Sequence, residues 1–257
     1  NNPQVSVIVT TYNREKYLKE TIQSILNQTF TDFELIVVDN FSNYDFFEVM
    51  ESFNDSRIKP FQNQNNGIIA VNRNFGLKHA TGEFVAFCDD DDLWEVQKLE
   101  KQVAYAHSHP KTIIATQRYI IDKENNVTEH KVPKNYRKPE HIYIYWRIAL
   151  SSVLVQKSEL IKFDESKEFV GVEDYGLWVN LLGMGFNVNI LPETLIRYRE
   201  DGTNYSNRKL MQPIQRICLL SKIFLNIDRK SYLYFILGIM LNIFFLLVFR
   251  IKYRSQL

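Results

Sequence analysis

The 257-residue chain has two cysteines, nine glycines, seven prolines and five histidines, and each scarcity excludes something. Cys88 and Cys218 are far apart and have no metal-ligand spacing, so neither a disulfide framework nor a zinc site is expected, and a reducing compartment fits best. His79, His107, His109, His130 and His141 form no helical metal-binding pair; "HSH" sets two of them on different faces, and surface positions are expected. There is no Gly-x-x-x-x-Gly-Lys loop and no Gly-x-Ser-x-Gly elbow, which disfavours a nucleotide hydrolase or an esterase. The start, "NNPQ", runs into a strand-like segment without the basic and apolar pattern of a secretory leader.

Net charge is nearly absent as well, at +1, but this conceals an asymmetry. Residues 1–207 carry −7 and residues 208–257 carry +8. The basic end surrounds "YLYFILGIMLNIFFLLVF", residues 232–249, in which no residue is charged, and the combination points to a membrane. Those 18 residues would reach roughly 27 Å as a helix, just short of a hydrocarbon core of about 30 Å. Basic residues flank both ends, so orientation is not specified. A re-entrant or interfacial anchor is preferred to a true span, and a helix buried in a homo-oligomer interface is the soluble alternative. The preceding "RKLMQPIQRICLLSKIFLNIDRK" has an apolar side from Leu210 to Phe224 and basic residues elsewhere, the pattern of an interfacial helix.

The first half alternates between two periodicities. "VSVIVTTYN", "FELIVVDN" and "EFVAFC" read as strands covered on both faces. "REKYLKETIQSILNQ", "DFFEVMESF" and "GIIAVNRNFGLKHA" read as helices, the last ended by "TGE" with Gly82 supplying a left-handed turn. "RIKPFQ" reads as an edge strand, because Pro60 cannot donate a ladder hydrogen bond. Gly76 is expected to allow close helix packing. This predicts a doubly wound α/β fold with a mostly parallel, Rossmann-like sheet flanked by helices, whose ligands lie beyond the carboxyl ends of the strands. Asp39 and the run "DDDD", Asp89–Asp92, fall at such ends.

Four adjacent carboxylates raise one another's pKa unless something compensates. A hard divalent cation would do so, Mg²⁺ or Mn²⁺ held by one or two carboxylates plus substrate phosphates. The bland alternative is an acidic helix start, since "DDDDLWEVQKLEKQVAYA" continues as a helix and acids suit its dipole. Glu173-Asp174 in "VEDYGLW" also precede a helix, with Leu177, Trp178, Leu181 and Leu182 on its buried face, and dipole stabilisation is again the bland role.

The stretches "VSVIVTTYNREKYLKETIQSILNQTFTDFELIVVDN", "NGIIAVNRNFGLKHATGEFVAFCDDDDLW", "VEDYGLW" and "YREDGTNYS", in this order and spacing, resemble the inverting nucleotide-sugar glycosyltransferases of family 2, over about residues 4–206. The resemblance implies the GT-A fold and an Asp-x-Asp motif, satisfied by Asp89 with Asp91 and by Asp90 with Asp92. It implies Asp91 as metal ligand, with Asp89 or Asp90 at ribose or metal water, and Mn²⁺ or Mg²⁺ as cofactor. It further implies Thr10, Tyr12 and Asp39 around a uracil base. Arg73 is expected at base or phosphate, with a helix-surface arginine as the alternative. Asp174 is implied as general base, with Glu173 beside it. In "YREDGTNYS" the family's histidine is replaced by Asp201, a candidate metal ligand, and Arg199 is expected at the diphosphate.

The organisation that follows is a catalytic domain over 1–207, with a nucleotide-sugar half over 1–115 and an acceptor half over 116–207, then a membrane-associating tail over 208–257. The polar stretch "DKENNVTEHKVPKNYRKPEHIYIYW" is expected to be a long excursion meeting the acceptor through Tyr136, Arg137, Tyr143 or Trp146. The implied partners are a UDP-sugar and a glycan acceptor, lipid-linked by inference from the tail, in bacterial surface polysaccharide or glycan assembly; no nucleic acid is expected. The implied location is the cytoplasmic face of a bacterial inner membrane. A nucleotidyltransferase or a non-catalytic sugar-nucleotide-binding protein is the alternative.

Overall fold

The computed structural model describes residues 2–133, 135, 138–144, 148–200, 214–218, 220 and 235–244. In chain order the elements are β1 (Val5–Thr11), α1 (Glu15–Leu26), β2 (Phe33–Asp39), α2 (Phe46–Glu51), β3 (Ile58–Gln62), α3 (Ile69–His79), β4 (Phe84–Asp89), β5 (Leu93–Trp94), α4 (Lys98–Ala106), β6 (Thr112–Ile121), β7 (Val127–Lys131), β8 (Leu154–Gln156), α5 (Glu173–Gly183) and β9 (Asn187–Arg199). One sheet takes the order β3-β2-β1-β4-β8-β6-β9-β5, with β7 pairing β6.

The sheet is parallel from β3 through β4 and mixed beyond. In β1 and β2 every residue is buried, because helices cover both faces and continuous apolar runs are what such strands require. Two apolar layers result, one around Ile8, Ile36, Phe87 and Trp178, the other around Val7, Leu18, Leu35 and Leu99. Pro60 sits in β3 at the sheet's edge, as its missing N–H demands.

Gly76 is required by proximity: a Cβ there would lie 2.6 Å from Ile8 Cγ2, so α3 seats directly on β1. Gly82 also answers to crowding, not to handedness. Its backbone is not left-handed, α3 ending instead at extended Ala80, and a Cβ on Gly82 would meet Ser6 N at 2.6 Å. The acidic run does not open a helix either. It forms a turn into the short strand β5, and α4 begins only at Lys98, so the dipole reading of Asp92 fails.

The polar stretch after β6 holds a hairpin. Asp122 Oδ1 accepts from the N–H groups of Glu124 and Asn126, Asn125 takes φ 69°, and β7 returns along β6. β6 runs unbroken from Thr112 to Ile121 and pairs with β9 along its length, so one sheet serves both halves of the chain. At the far end of the chain, residues 235–244 are helical, with Phe235 and Asn242 buried and Ile236, Leu237, Met240, Ile243 and Phe244 exposed. Among the described residues no helix is long and apolar enough to cross a membrane.

Candidate active site

The parallel register brings the site together. Thr11 pairs with Asp39 across β1 and β2, and Thr10 pairs with Asp89 across β1 and β4, so the carboxyl ends of three adjacent strands present Thr10, Thr11, Asp39 and Asp89 in one row. Tyr12 follows at 55% exposure, standing at the mouth of this crevice. Asp39 is fully buried beneath the loop that follows it. Its carboxylate accepts from Ser42 N at 2.9 Å, Ser42 Oγ at 2.5 Å and Gln62 Nε2 at 3.0 Å. Asn13 pins that loop, donating its backbone N–H to Ser42 Oγ and accepting from Asn43 N.

The four aspartates have four different environments. Asp89 accepts from Arg73 at 2.9 Å, and its backbone N–H reaches Ser151 Oγ. Asp90 accepts from Thr11 Oγ1 at 2.8 Å and from Arg14 at 3.4 Å. Asp91 pairs with the same Arg14 nitrogen. Asp92 faces inward, accepting from Ser151 Oγ at 2.5 Å and from Arg199 N at 2.9 Å. Burial, and then the neighbouring Asp91, push Asp90 up to about 7 against the pull of Arg14; the same causes raise Asp92 well above the carboxylate range.

Arg199, expected at the diphosphate, is fully buried behind the turn. Its guanidinium donates to Asp91 O at 2.8 Å, Asp122 O at 3.0 Å and Glu20 Oε2 at 3.0 Å, and lies 4.3 Å from the Tyr17 ring centroid. These bonds direct it at protein oxygens, where it braces the acidic turn. Arg73 is likewise not a surface arginine. It is buried and bridges Asp89 to Glu173, donating to the latter at 2.5 Å.

That bridge carries α5 into the site. Glu173 is buried and also accepts from Gly171 N, while Asp174 is half-buried and accepts a local bond from Tyr175 N at 2.7 Å. Burial, followed by the charge of Glu173, pushes Asp174 up to about 8, with Arg73 opposing. A carboxyl tuned this way exchanges protons near neutral pH, as acid–base work requires.

Among the described residues no cluster of three potential ligands closes around a metal position. The donor set nevertheless fits a hard cation that takes only one or two carboxylates from protein, because the adjacent Asp90 and Asp91 carboxylates both face the same positive group, the Arg14 guanidinium. Asp201, Tyr136, Arg137 and Trp146 lie outside the described residues. Tyr143, expected at the acceptor, is instead core: it is 3% exposed, packs its ring 6.3 Å from Phe235 and accepts from Tyr175 OH.

Several residues that build the site had no role implied by the sequence pattern. Arg14 could have been found, because a cation just after a parallel strand must lie near that strand's carboxyl end. Ser151 sits in a one-turn 3-10 helix, Leu150–Ser152, in a region without periodicity, and Glu20 reads as an ordinary helix-surface acid.

The sequence model of glycosyl transferase family 2 matches residues 6–163. The uncharacterized glycosyltransferase MJ1057 of Methanocaldococcus jannaschii is 32% identical over 215 residues, 80% of this chain and 74% of that one. WfaP of Escherichia coli, a UDP-Glc:alpha-D-GlcNAc-diphosphoundecaprenol beta-1,3-glucosyltransferase, is 28% identical over 224 residues, 85% of this chain and 86% of that one. Residues 1–349 of S. aureus TarS in complex with UDP-GlcNAc superpose with TM-score 0.72 at 22% identity, over 90% of this chain and 69% of that one, a likeness of fold. With the strand-end aspartates and the matched span in agreement, this chain belongs to glycosyltransferase family 2 and is a glycosyltransferase with a GT-A fold.

Proposed function

We propose that the chain transfers a sugar from a UDP-sugar to a hydroxyl of a lipid-linked glycan, with inversion at the anomeric carbon and dependence on Mn²⁺ or Mg²⁺. The observation that carries this reading is the Arg73 bridge, which ties the donor-side strand end at Asp89 to the helix start bearing Asp174. Donor and acceptor groups thereby share one crevice. In this reading Thr10, Tyr12 and Asp39 receive the base, Tyr12 by stacking and Asp39 by accepting the imide N–H once the Ser42 loop yields. Asp91 would hold the cation, with Asp89 or Asp90 toward ribose or metal water, and a cation held there would supply positive charge to the diphosphate as it departs.

Asp174 takes the proton from the acceptor hydroxyl. The hydroxyl oxygen forms its bond to the anomeric carbon as the bond to phosphate breaks, and that electron pair leaves with UDP. Glu173, clamped by Arg73, fixes the start of α5 and so the position of Asp174. The names of relatives such as WfaP support a lipid-linked acceptor, and the UDP-GlcNAc complex of TarS supports a uridine donor. The exposed apolar face of residues 235–244, with the basic residues around it in sequence, supports docking at the cytoplasmic face of a bacterial membrane through residues 208–257.

The test is a screen of UDP-sugars for Mn²⁺-dependent UDP release with lipid-linked acceptors present and absent. Acceptor-dependent UDP release is expected. Success only with guanosine or thymidine donors would overturn the base pocket, and release of pyrophosphate would indicate nucleotidyl transfer.

A further inference from the structure

The start of α5, which carries Glu173 and Asp174, is not secured by a cap of its own. Val172 stands at the cap position and supplies no side-chain bond, where Ser, Thr, Asp or Asn would hold a helix start. The stretch leading into it is one 3-10 turn, Lys167–Phe169, then Val170 and Gly171, the glycine at φ 93°. Ties from elsewhere in the chain hold this stretch. On the donor side Arg73 bonds Glu173. On the other side stands the helical segment 214–218. Gln215, 9% exposed, donates Nε2 to Glu168 O at 3.0 Å and to Val170 O at 2.9 Å. Its Oε1 is buried without a hydrogen bond among the described residues, so the nitrogen makes the polar contacts of this side chain. Arg216 beside it lies 5.8 Å from the ring centroid of Tyr175, the residue after Asp174.

We infer that Gln215 is a positioning residue for Asp174: its two bonds tie residues 214–218 to the loop that enters α5, making this segment a working part of the acceptor side of the site and not only a lead toward the membrane. This rests on the reading of Asp174 as general base. The physical argument is leverage. One amide nitrogen shared between two carbonyls fixes the rotation of the loop as well as its distance, which a single bond would not. Only Gly171 and Val172 separate Val170 from Glu173, and glycine restrains the backbone least. Without Gln215 the loop is therefore free to swing, and the helix start moves with it. For a base that must meet a hydroxyl in line with the anomeric carbon, a misplacement of about 1 Å can cost about 10²-fold in rate.

The experiment uses the full chain and Gln215→Met, which keeps the length of the side chain and removes the donor. Hydrogen–deuterium exchange needs no substrate: the amides of residues 171–175 are expected to exchange faster than in the wild type, and those of β1 and β2 at the wild-type rate. With the UDP-sugar and lipid-linked acceptor that the wild type turns over, kcat should fall toward about 10²-fold, while KM for the donor and UDP affinity by calorimetry stay at their wild-type values. Gln215→Asn keeps the amide one carbon short, and its loss of kcat should be smaller. A merely structural glutamine would lower the melting temperature and leave kcat per folded molecule unchanged. That result, unchanged exchange at 171–175, or a loss of kcat matched by an equal loss of UDP affinity would overturn the positioning role. Should Gln215→Met not fold, Gln215→Asn is held to the same outcomes. Retained turnover in Asp174→Asn would instead remove the base on which the inference rests.

Discussion

The two acidic clusters at the crevice, four aspartates and a Glu-Asp pair, share Arg73 and differ in how directly cations and hydroxyls hold them. Around Asp89–Asp92 the fold supplies Arg14 in front, Arg199 behind and Arg73 at one side, together with the hydroxyls of Thr11 and Ser151. Around Glu173-Asp174 the cations are Arg73, bonded to Glu173, and Arg216, which lies over the Tyr175 ring and feels the charge of Asp174 without a described bond to it. The first arrangement sets three arginines around a turn in which burial, and then Asp91, push Asp90 up to about 7 and Asp92 well above the carboxylate range. The second leaves Asp174 under-compensated and pushed up to about 8, the condition in which a carboxyl can accept a proton usefully at working pH.

The largest expected effect breaks the second cluster alone. Asp174→Asn should lower transfer by about 10²–10⁴-fold or more, since proton abstraction is lost, while UDP binding, which belongs to the first cluster, stays near wild type. Steady-state kinetics with calorimetry check this, and retained turnover would remove Asp174 as base. With the wild type, kcat/KM should rise with pH along an acid limb near 8, because only the ionised carboxylate accepts.

Arg73→Met severs the two clusters from each other. It leaves Glu173 and Asp89 without their shared counter-charge, and breaking a buried pair of this kind costs about 3–5 kcal/mol. The loss of stability should be visible in denaturant unfolding. In the protein that remains folded, the acid limb should move to higher pH, since Arg73 is what opposes the upward push on Asp174. An unmoved limb would mean that the bridge sets position without tuning charge.

The contrast between the clusters was only half legible in sequence. The strands and the row of residues at their ends could be read because buried parallel strands are continuous apolar runs, and three such runs in βα alternation fix a crevice. Who neutralises whom could not be read. Arg199 is 107 residues from Asp92, and nothing in its sequence neighbourhood shows that its guanidinium bonds Asp91, Asp122 and Glu20. The hairpin at β7 was hidden because "VTEHK" is exposed on a sheet edge and has no apolar alternation to reveal it. Gly82 was marked as special for the wrong reason, since a turn and a close approach both select glycine.

Stability against pH offers a subtler comparison. Asp174 has a folded-state pKa above its ordinary 3.8, so the folded form holds the proton more tightly than the unfolded one. Stability is therefore lost as pH rises from about 4 towards 8. Asn cannot ionise, and its amide oxygen can still accept from Tyr175 N. Asp174→Asn should then melt close to wild type near pH 4 and progressively higher than wild type up to pH 8, in cation-free buffer. A gap that does not change with pH would show that Asp174 is not destabilised by ionising there.

The smallest effect concerns a third carboxylate, Asp39, which accepts from Ser42 in its own loop and from Gln62. That loop holds Phe41 at φ 57° with its ring 58% exposed. A left-handed backbone costs a side-chain-bearing residue about 1–2 kcal/mol, while glycine adds back about 0.5–1 kcal/mol of unfolded-state entropy. So little of the ring is buried that Phe41→Gly should gain up to about 1 kcal/mol, read as a rise of about 2–4 °C in Tm. A rise would show that the loop over Asp39 is held under strain by Ser42 and Asn13, so that a base pressing on Asp39 opens a loop already inclined to move. A fall would show instead that the ring packs well enough to lock it, and the uracil imide would then have to displace Ser42 against a stable cap.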